Sequence, residues 1–470
     1  MISAIAWVPK GASKSQPVLT DLPSKEEIEE FINSGGSESE ENDQEMDIGA
    51  NDQDDEVAQA SSVADALGKP LVEKCDDITL GLKELDMDKY DEEDEGVELF
   101  SSGIGDLYYP SNDLDPYLNH ENEDDSEEFE DMTIYPTDSV VVCALIKKHD
   151  FCLEVLILED SNSSEINQFI RNDIIITACP LCTAWSDSPL KGGERGNFIA
   201  VGFEDEPSIE IWDLDIVDEV KPCMVLGGFA KKKKKGKKSK KFKDGSHTDS
   251  VLSLAWNKNI LASASADKRV KLWDVATGRC DMTMEHHSDK VQAVAWNHYA
   301  AQILLSGSFD KTVVMKDVRM PSHSGFKWSV PADVESLAWD PHAEHSFVVS
   351  LDNGIVKGID VRAIQSNSTS QSTIFTLHAH DEAVTSVSYN ISAANLLATA
   401  SMDKTVKLWD LSNQQPSHVT SYDPKTGPVF SISFSKDDPF LLAIGGYKGK
   451  LKVWNTLLDA GVSQMVKRNK

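Results

Sequence analysis

Six times along the chain a short apolar run closes on an aspartate or asparagine: IEIWDLD (209–215), VKLWDVA (270–276), VVMKDVR (313–319), VKGIDVR (356–362), VKLWDLS (406–412) and LKVWNTL (451–457). From Asp274 the steps to Asp317, Asp360, Asp410 and Asn455 are 43, 43, 50 and 45 residues, and the longer step of 61 from Asp213 carries a lysine-rich insert. Upstream of each copy sits a second element: CTAWSD (182–187), LSLAWN (252–257), QAVAWN (292–297), ESLAWD (335–340), TSVSYN (385–390) and FSISFS (430–435). Between the two lies an apolar stretch ending in a turn, as in ILASASADK or LLATASMDK. Each unit therefore reads as strand, strand, Asp-centred tight turn, strand. Counting Trp7 of the opening stretch SAIAWV, nine of the ten tryptophans fall at these two recurring positions, Trp328 being the exception.

This pattern resembles the WD-repeat family over roughly residues 139–460, and the resemblance implies a β-propeller of four-stranded blades. His247, His287 and His380 precede their strands at the distance of that family's structural histidine. By resemblance, His247, Ser263, Asp267 and Trp273 form a hydrogen-bonded set within one blade. Asp274, Asp310, Asp317, His380, Asp403, Trp409 and Asp410 take the recurring positions in theirs. A His-Ser-Asp set also suits a nucleophilic triad. Recurrence argues against that reading, because a catalytic site is needed once and a stabilising network in every blade.

Clear units occupy 179–229, 247–284, 286–327, 328–377, 378–422 and 424–466. Upstream, SVVVCALIKKHDFCLEVLILED (139–160) reads as an apolar hairpin and NDIIITA (172–178) as an outer strand, leaving a blade without its innermost strand. SAIAWV (3–8) matches LSLAWN and QAVAWN in pattern. The expectation is an all-β, seven-bladed propeller over 139–466, its first blade completed by residues 1–10, because an unpaired edge at the join invites aberrant pairing. Lys316 and Ile359 replace the repeat tryptophan, and the unit starting at Trp328 lacks an upstream histidine, so those two blades are expected to be less rigid.

Between the opening strand and the hairpin the composition changes. Residues 20–132 hold 39 acidic residues against 5 basic ones, which accounts for the whole formal net charge of −34. A segment so charged and so poor in aromatics cannot bury enough apolar surface to offset its conformational entropy, so 20–135 is expected to be a disordered acidic arm. Residues 231–243 form a basic loop between blades with ten lysines, Lys231, Lys232, Lys233, Lys234, Lys235, Lys237, Lys238, Lys240, Lys241 and Lys243. It suits a nuclear import signal, a phosphate contact on RNA, or a solubilising loop. No secretory signal or membrane span is expected. Seven cysteines without framework spacing suit a reducing compartment, and Cys179-Pro-Leu-Cys182 lacks the second pair that would complete a metal site.

The stretches LDMDKYDEEDE (85–95), YPSNDLDPYL (109–118), IEIWDLDIVDEVKP (209–222) and the lysine tract ahead of Gly-Ser-His-Thr-Asp resemble the periodic tryptophan proteins, a nuclear WD-repeat family. That resemblance implies a nucleolar, chromatin-associated scaffold connected with ribosomal RNA gene transcription, pre-rRNA processing and large-subunit assembly. It implies ribosome assembly factors and ribosomal proteins as partners, with histones as further candidates for the acidic arm. The acid-flanked Ser37 and Ser39 are candidate phosphorylation sites. No G-x-S-x-G, H-E-x-x-H or G-x-x-x-x-G-K-[ST] motif occurs, so neither an enzyme nor a cofactor, metal or small-molecule substrate is expected. Two rival readings stand beside the scaffold. One is a histone-binding chromatin regulator; the other is a substrate receptor of a cullin-type ubiquitin ligase, suggested by the Asp-x-Arg endings at Arg319 and Arg362.

Overall fold

A computed structural model describes residues 1–19, 132–148, 150–159, 166–190, 195–217, 219–230, 241–320, 322–365, 372–413 and 415–468. These residues build seven blades, six of them four-stranded sheets and the last, among the described residues, three-stranded. Within each blade neighbouring strands run antiparallel, and the third blade is a meander whose connections are short turns. In the SADKR turn of the third blade, the Asp267 carboxylate accepts the Arg269 amide at 3.0 Å and Lys268 takes a left-handed φ of 70°. Gly354 holds the matching position two blades on with φ 81°, where the residue type matches the geometry without strain.

The innermost strands carry the pattern LSLAW because one face packs on its own sheet and the other on the neighbouring blade. Core therefore lies between blades as much as within them: Ala200, Ile209 and Ile211 of the second blade pack with Val251, Leu254 and Trp273 of the third. The inner-strand indoles stitch the ring. Trp256 donates to the Ala184 carbonyl of the preceding blade at 2.8 Å, Trp296 to Ala255 at 3.0 Å and Trp339 to Ala295 at 3.2 Å.

The opening strand performs the same two tasks at the join. Ile2–Val8 pairs with Ser139–Ile146 to give a first blade in the order Ile2–Val8, Ser139–Ile146, Phe151–Glu159, Asn167–Ile176. Trp7 donates to the Ser433 carbonyl of the last blade at 2.9 Å, the stitch made elsewhere by Trp256. A Cβ added to Gly202 would stand 2.7 Å from Val251, one on Gly307 2.5 Å from Val334, and one on Gly445 2.5 Å from Ile2. Ile2 thus occupies against the last blade the place that Val251 and Val334 occupy against theirs. Ile2 and Ile5 are buried in a cluster shared with Ala443 and Leu451.

Four boundaries differ from the expected ones. Residues 132–135, assigned to the acidic arm, belong to the folded body, since Ile134 is buried and its amide donates to Ser15 at 2.9 Å. The remainder of the arm, residues 20–131, lies outside the described residues. The outer strand of the first blade is Asn167–Ile176, starting earlier than residue 172. Trp328 closes the fourth blade within the outer strand Phe326–Ser329, because its ring fills the gap beside Phe347, 5.3 Å away. Residues 460–468, placed largely within the last blade, form the helix Ala460–Arg468, which buries Val462 and Met465 against a cluster that includes Val419 of the sixth blade. No helix among the described residues is long and apolar enough to cross a membrane.

Candidate functional site

In the third blade the His247 ring lies between two partners, with Nδ1 2.9 Å from the Asp267 carboxylate and Nε2 2.7 Å from the Ser263 hydroxyl. The Trp273 indole donates to the same hydroxyl at 2.8 Å. The sixth blade repeats the arrangement with His380, Asp403, Thr399 and Trp409, at 2.8, 2.8 and 2.9 Å. Burial pushes the His247 and His380 rings below the usual imidazole range. Burial would raise Asp267 and Asp403, but their hydrogen bonds outweigh it and hold both carboxyls below the usual range. Each such set is sealed: His247 and Ser263 are both 0 % exposed, so no substrate reaches the hydroxyl and the triad reading fails on access. Asp274 and Asp410 cap the turns that follow, accepting the amides of Ala276 and Ser412. Asp317 does so for Arg319, whose guanidinium also clasps it at 2.7 Å; Asp360 and Arg362 repeat this.

Asp310 joins its set through His287 at 3.1 Å, and His287 reaches Ser306 at 2.9 Å. Here the strand register places Lys316 opposite Leu304, as Trp273 stands opposite Leu261, so the indole is missing. His286 makes the missing bond, its Nε2 lying 2.8 Å from Ser306. His286 and Thr399 were not singled out from the sequence. The doubled histidine of EHHSD and the threonine aligned with Ser263 were the available signals.

The residues on either side of the lysine tract form a stapled stem. The Ala230 amide donates to Lys241 at 2.7 Å, the Lys243 amide to Gly228 at 2.9 Å, and the Phe229 and Phe242 rings stack at 5.2 Å. The stem fixes both ends of the loop against the blade while its backbone pairs satisfy each other. Lys241 and Lys243 are described there; Lys231, Lys232, Lys233, Lys234, Lys235, Lys237, Lys238 and Lys240 lie outside the described residues, as do Ser37 and Ser39.

Burial pushes the Cys179 thiol up to about 11 and Cys182 higher still, and Cys182 donates to the Val251 carbonyl, which suits packing more than redox chemistry. Among the described residues the cluster of metal-type side chains is Cys152, Glu154 and Asp173, and the Lys147 ammonium already stands 3.2 Å from Glu154 and 4.0 Å from Asp173.

Four segments, 236–274, 278–315, 371–410 and 416–455, match the family described as WD domain, G-beta repeat. An uncharacterized WD repeat-containing protein of Schizosaccharomyces pombe is 36% identical over 479 residues, covering 98% of this chain and 90% of its own. Periodic tryptophan protein 1 of Saccharomyces cerevisiae is 31% identical over 536 residues, covering 99% of this chain and 90% of its own. The chain belongs to the periodic tryptophan protein 1 family. The Drosophila melanogaster homolog of that family is 29% identical over 70% of this chain and 69% of its own. A chain of the crystal structure of the mitotic checkpoint complex superposes with a TM-score of 0.50 at 18% identity, over 67% of this chain and 83% of that one, a likeness of fold alone. The periodic tryptophan protein 1 family fold is thus a WD-repeat scaffold, a propeller suited to protein–protein contacts.

Proposed function

We propose that this protein is a non-enzymatic scaffold of the nucleus and nucleolus that brings pre-ribosomal RNA and assembly proteins together during ribosome biogenesis. Support comes first from the stapled stem, which ties both ends of the lysine tract to each other at the propeller. Ten lysines on a fixed base suit both nuclear import and sequence-independent phosphate contacts. Kinship with periodic tryptophan protein 1 over nearly the whole chain supports the same reading. The recurring hydrogen-bonded sets of the blades are consumed in holding them together, which leaves recognition to surfaces and loops. A tagged copy should stain nucleoli and co-sediment with large pre-ribosomal particles, and replacing the lysines by glutamine should weaken both. A protein confined to the cytoplasm and absent from those particles refutes the proposal.

A further inference from the structure

The fourth blade departs from its neighbours in a way that leaves a cationic recess. Where Trp273 and Trp409 fill the space beside the network hydroxyl, Lys316 supplies a slender chain ending in a charge. His286 takes over the bond to Ser306. With the His287 Nδ1 proton directed at Asp310, the Ser306 hydroxyl donates to His287 Nε2, so His286 must donate from its own Nε2. His286 thus makes the bond that an indole makes in the third and sixth blades, while its Nδ1 stays buried without a partner.

Lys316 and His286 line a recess of about 510 Å³ together with Ser322, His323, Ser324 and Lys327. Glu285 also lines it, its carboxylate paired with Arg269 at 2.9 Å. The influence of the two ammonium groups is felt within the site: after burial and His287, Lys316 and Lys327 are the next contributions that hold His286 down at about 3. His323 accepts the Gly325 amide on Nδ1 at 2.9 Å, which leaves the proton on Nε2 and makes that nitrogen a donor. Two ammonium groups, one imidazole N–H and two hydroxyls line one small hollow.

We propose that this recess binds a phosphomonoester carried on a serine or threonine of a partner protein. A phosphomonoester carries about −1.5 to −2 charge at neutral pH and three acceptor oxygens, which two ammonium groups and an imidazole donor can match. A nucleic-acid backbone spreads single charges along a strand and calls for a long groove of cations, whereas here two lysines line a single recess. The site lies in the fourth blade and makes no use of the lysine-rich loop.

The test uses the full chain with 13C-labelled histidine rings and the probe N-acetyl-O-phosphoserine amide. The signals of His286 and His323 should move with saturable dependence on the probe, and serine amide lacking the phosphate should move neither. Lys316→Trp restores the repeat residue and fills the recess, so it should keep or raise the melting temperature while abolishing these shifts. Lys327→Glu, on an exposed outer strand, should weaken binding by about tenfold or more, the order for losing a charge-assisted hydrogen bond. Lys452→Glu, in the last blade, should bind as the native chain does. Unchanged binding by both Lys316→Trp and Lys327→Glu overturns the proposal, as does failure of the probe to move either histidine. Tighter binding of decauridylate than of the probe, lost in Lys316→Trp, assigns the recess to nucleic acid and overturns the protein-borne phosphate.

Discussion

The ring closes on a strand separated from its blade by more than a hundred residues, and Trp7 is the side chain on which that closure is best tested. Trp7→Phe removes the bond to Ser433 and keeps most of the packing, at a cost of about 1 kcal/mol. Trp7→Ala also removes the ring, and because the indole is half-buried the loss should sit near 3 kcal/mol, the lower end of the range for buried aromatics. Removing residues 1–8 strips Ile2, Ile5 and Val8 from the core at about 1.5–3 kcal/mol each, and exposes the facing edge of Ser139–Ile146. Gly445→Val approaches the same seam from the other side, driving a side chain into Ile2. Unfolding entropy of about 2.1 cal/mol/K per residue means that a body of several hundred residues shifts its melting temperature by roughly 1–2 °C per kcal/mol. Calorimetry should therefore rank the variants Trp7→Phe, Trp7→Ala and truncation in rising order of loss. A truncated chain that melts with the native one would show that the seam is closed by something other than Ile2–Val8, and the reasoning would fail.

Ser263→Ala should cost about 2–4 kcal/mol in denaturant unfolding, because it strands both His247 Nε2 and Trp273 Nε1 in a sealed interior. Glu210, pushed up to about 7 by burial despite its bond from Trp212, stays protonated in the folded chain over pH values where the unfolded chain ionises; stability should fall as pH rises from about 4.5 to 7. Glu210→Gln should be more stable than the native chain at pH 8 by up to about 3 kcal/mol and no different at pH 4, and equal stability at pH 8 would contradict the buried carboxyl. His286 has the opposite sign: held at about 3 when folded, it takes up its proton only on unfolding, so stability should drop as pH falls below 6.5, by about 2 kcal/mol at pH 5, and His286→Gln should flatten that slope. Phe242→Ala should speed hydrogen exchange at the Ala230 and Lys243 amides while moving the melting temperature by no more than about 3 °C, since one half-exposed stack is worth about 0.5–1.5 kcal/mol.

Much of the blade interior was legible along the chain. A propeller repeats one local unit, so a side chain that performs a task in one blade recurs at a fixed distance, and the resemblance to WD repeats then implied the set His247, Ser263, Asp267 and Trp273. Recurrence also carried the expectation that Ile2–Val8 belongs to the first blade. The outer strands were less legible, because they are short, half-exposed and weakly patterned; Phe326–Ser329 carries Trp328 as a gap-filler and read as the start of the next unit. The helix Ala460–Arg468 was missed for a related reason, since what fixes it is the surface of the sixth blade and not a pattern of its own.

What the sequence determined by itself was the repeated unit, its number and the missing piece at the start, because those follow from local alternation and turn chemistry. What only the tertiary structure decided were relations between residues that no period connects. Trp7 meets Ser433, Gly445 admits Ile2, Phe229 stacks on Phe242 across the lysine tract, and His286 supplies the bond that Lys316 cannot. A repeat announces what each blade has in common. The seam, the stem and the recess arise where one blade differs from the rest, and a difference acquires meaning only from the neighbours that packing brings to it.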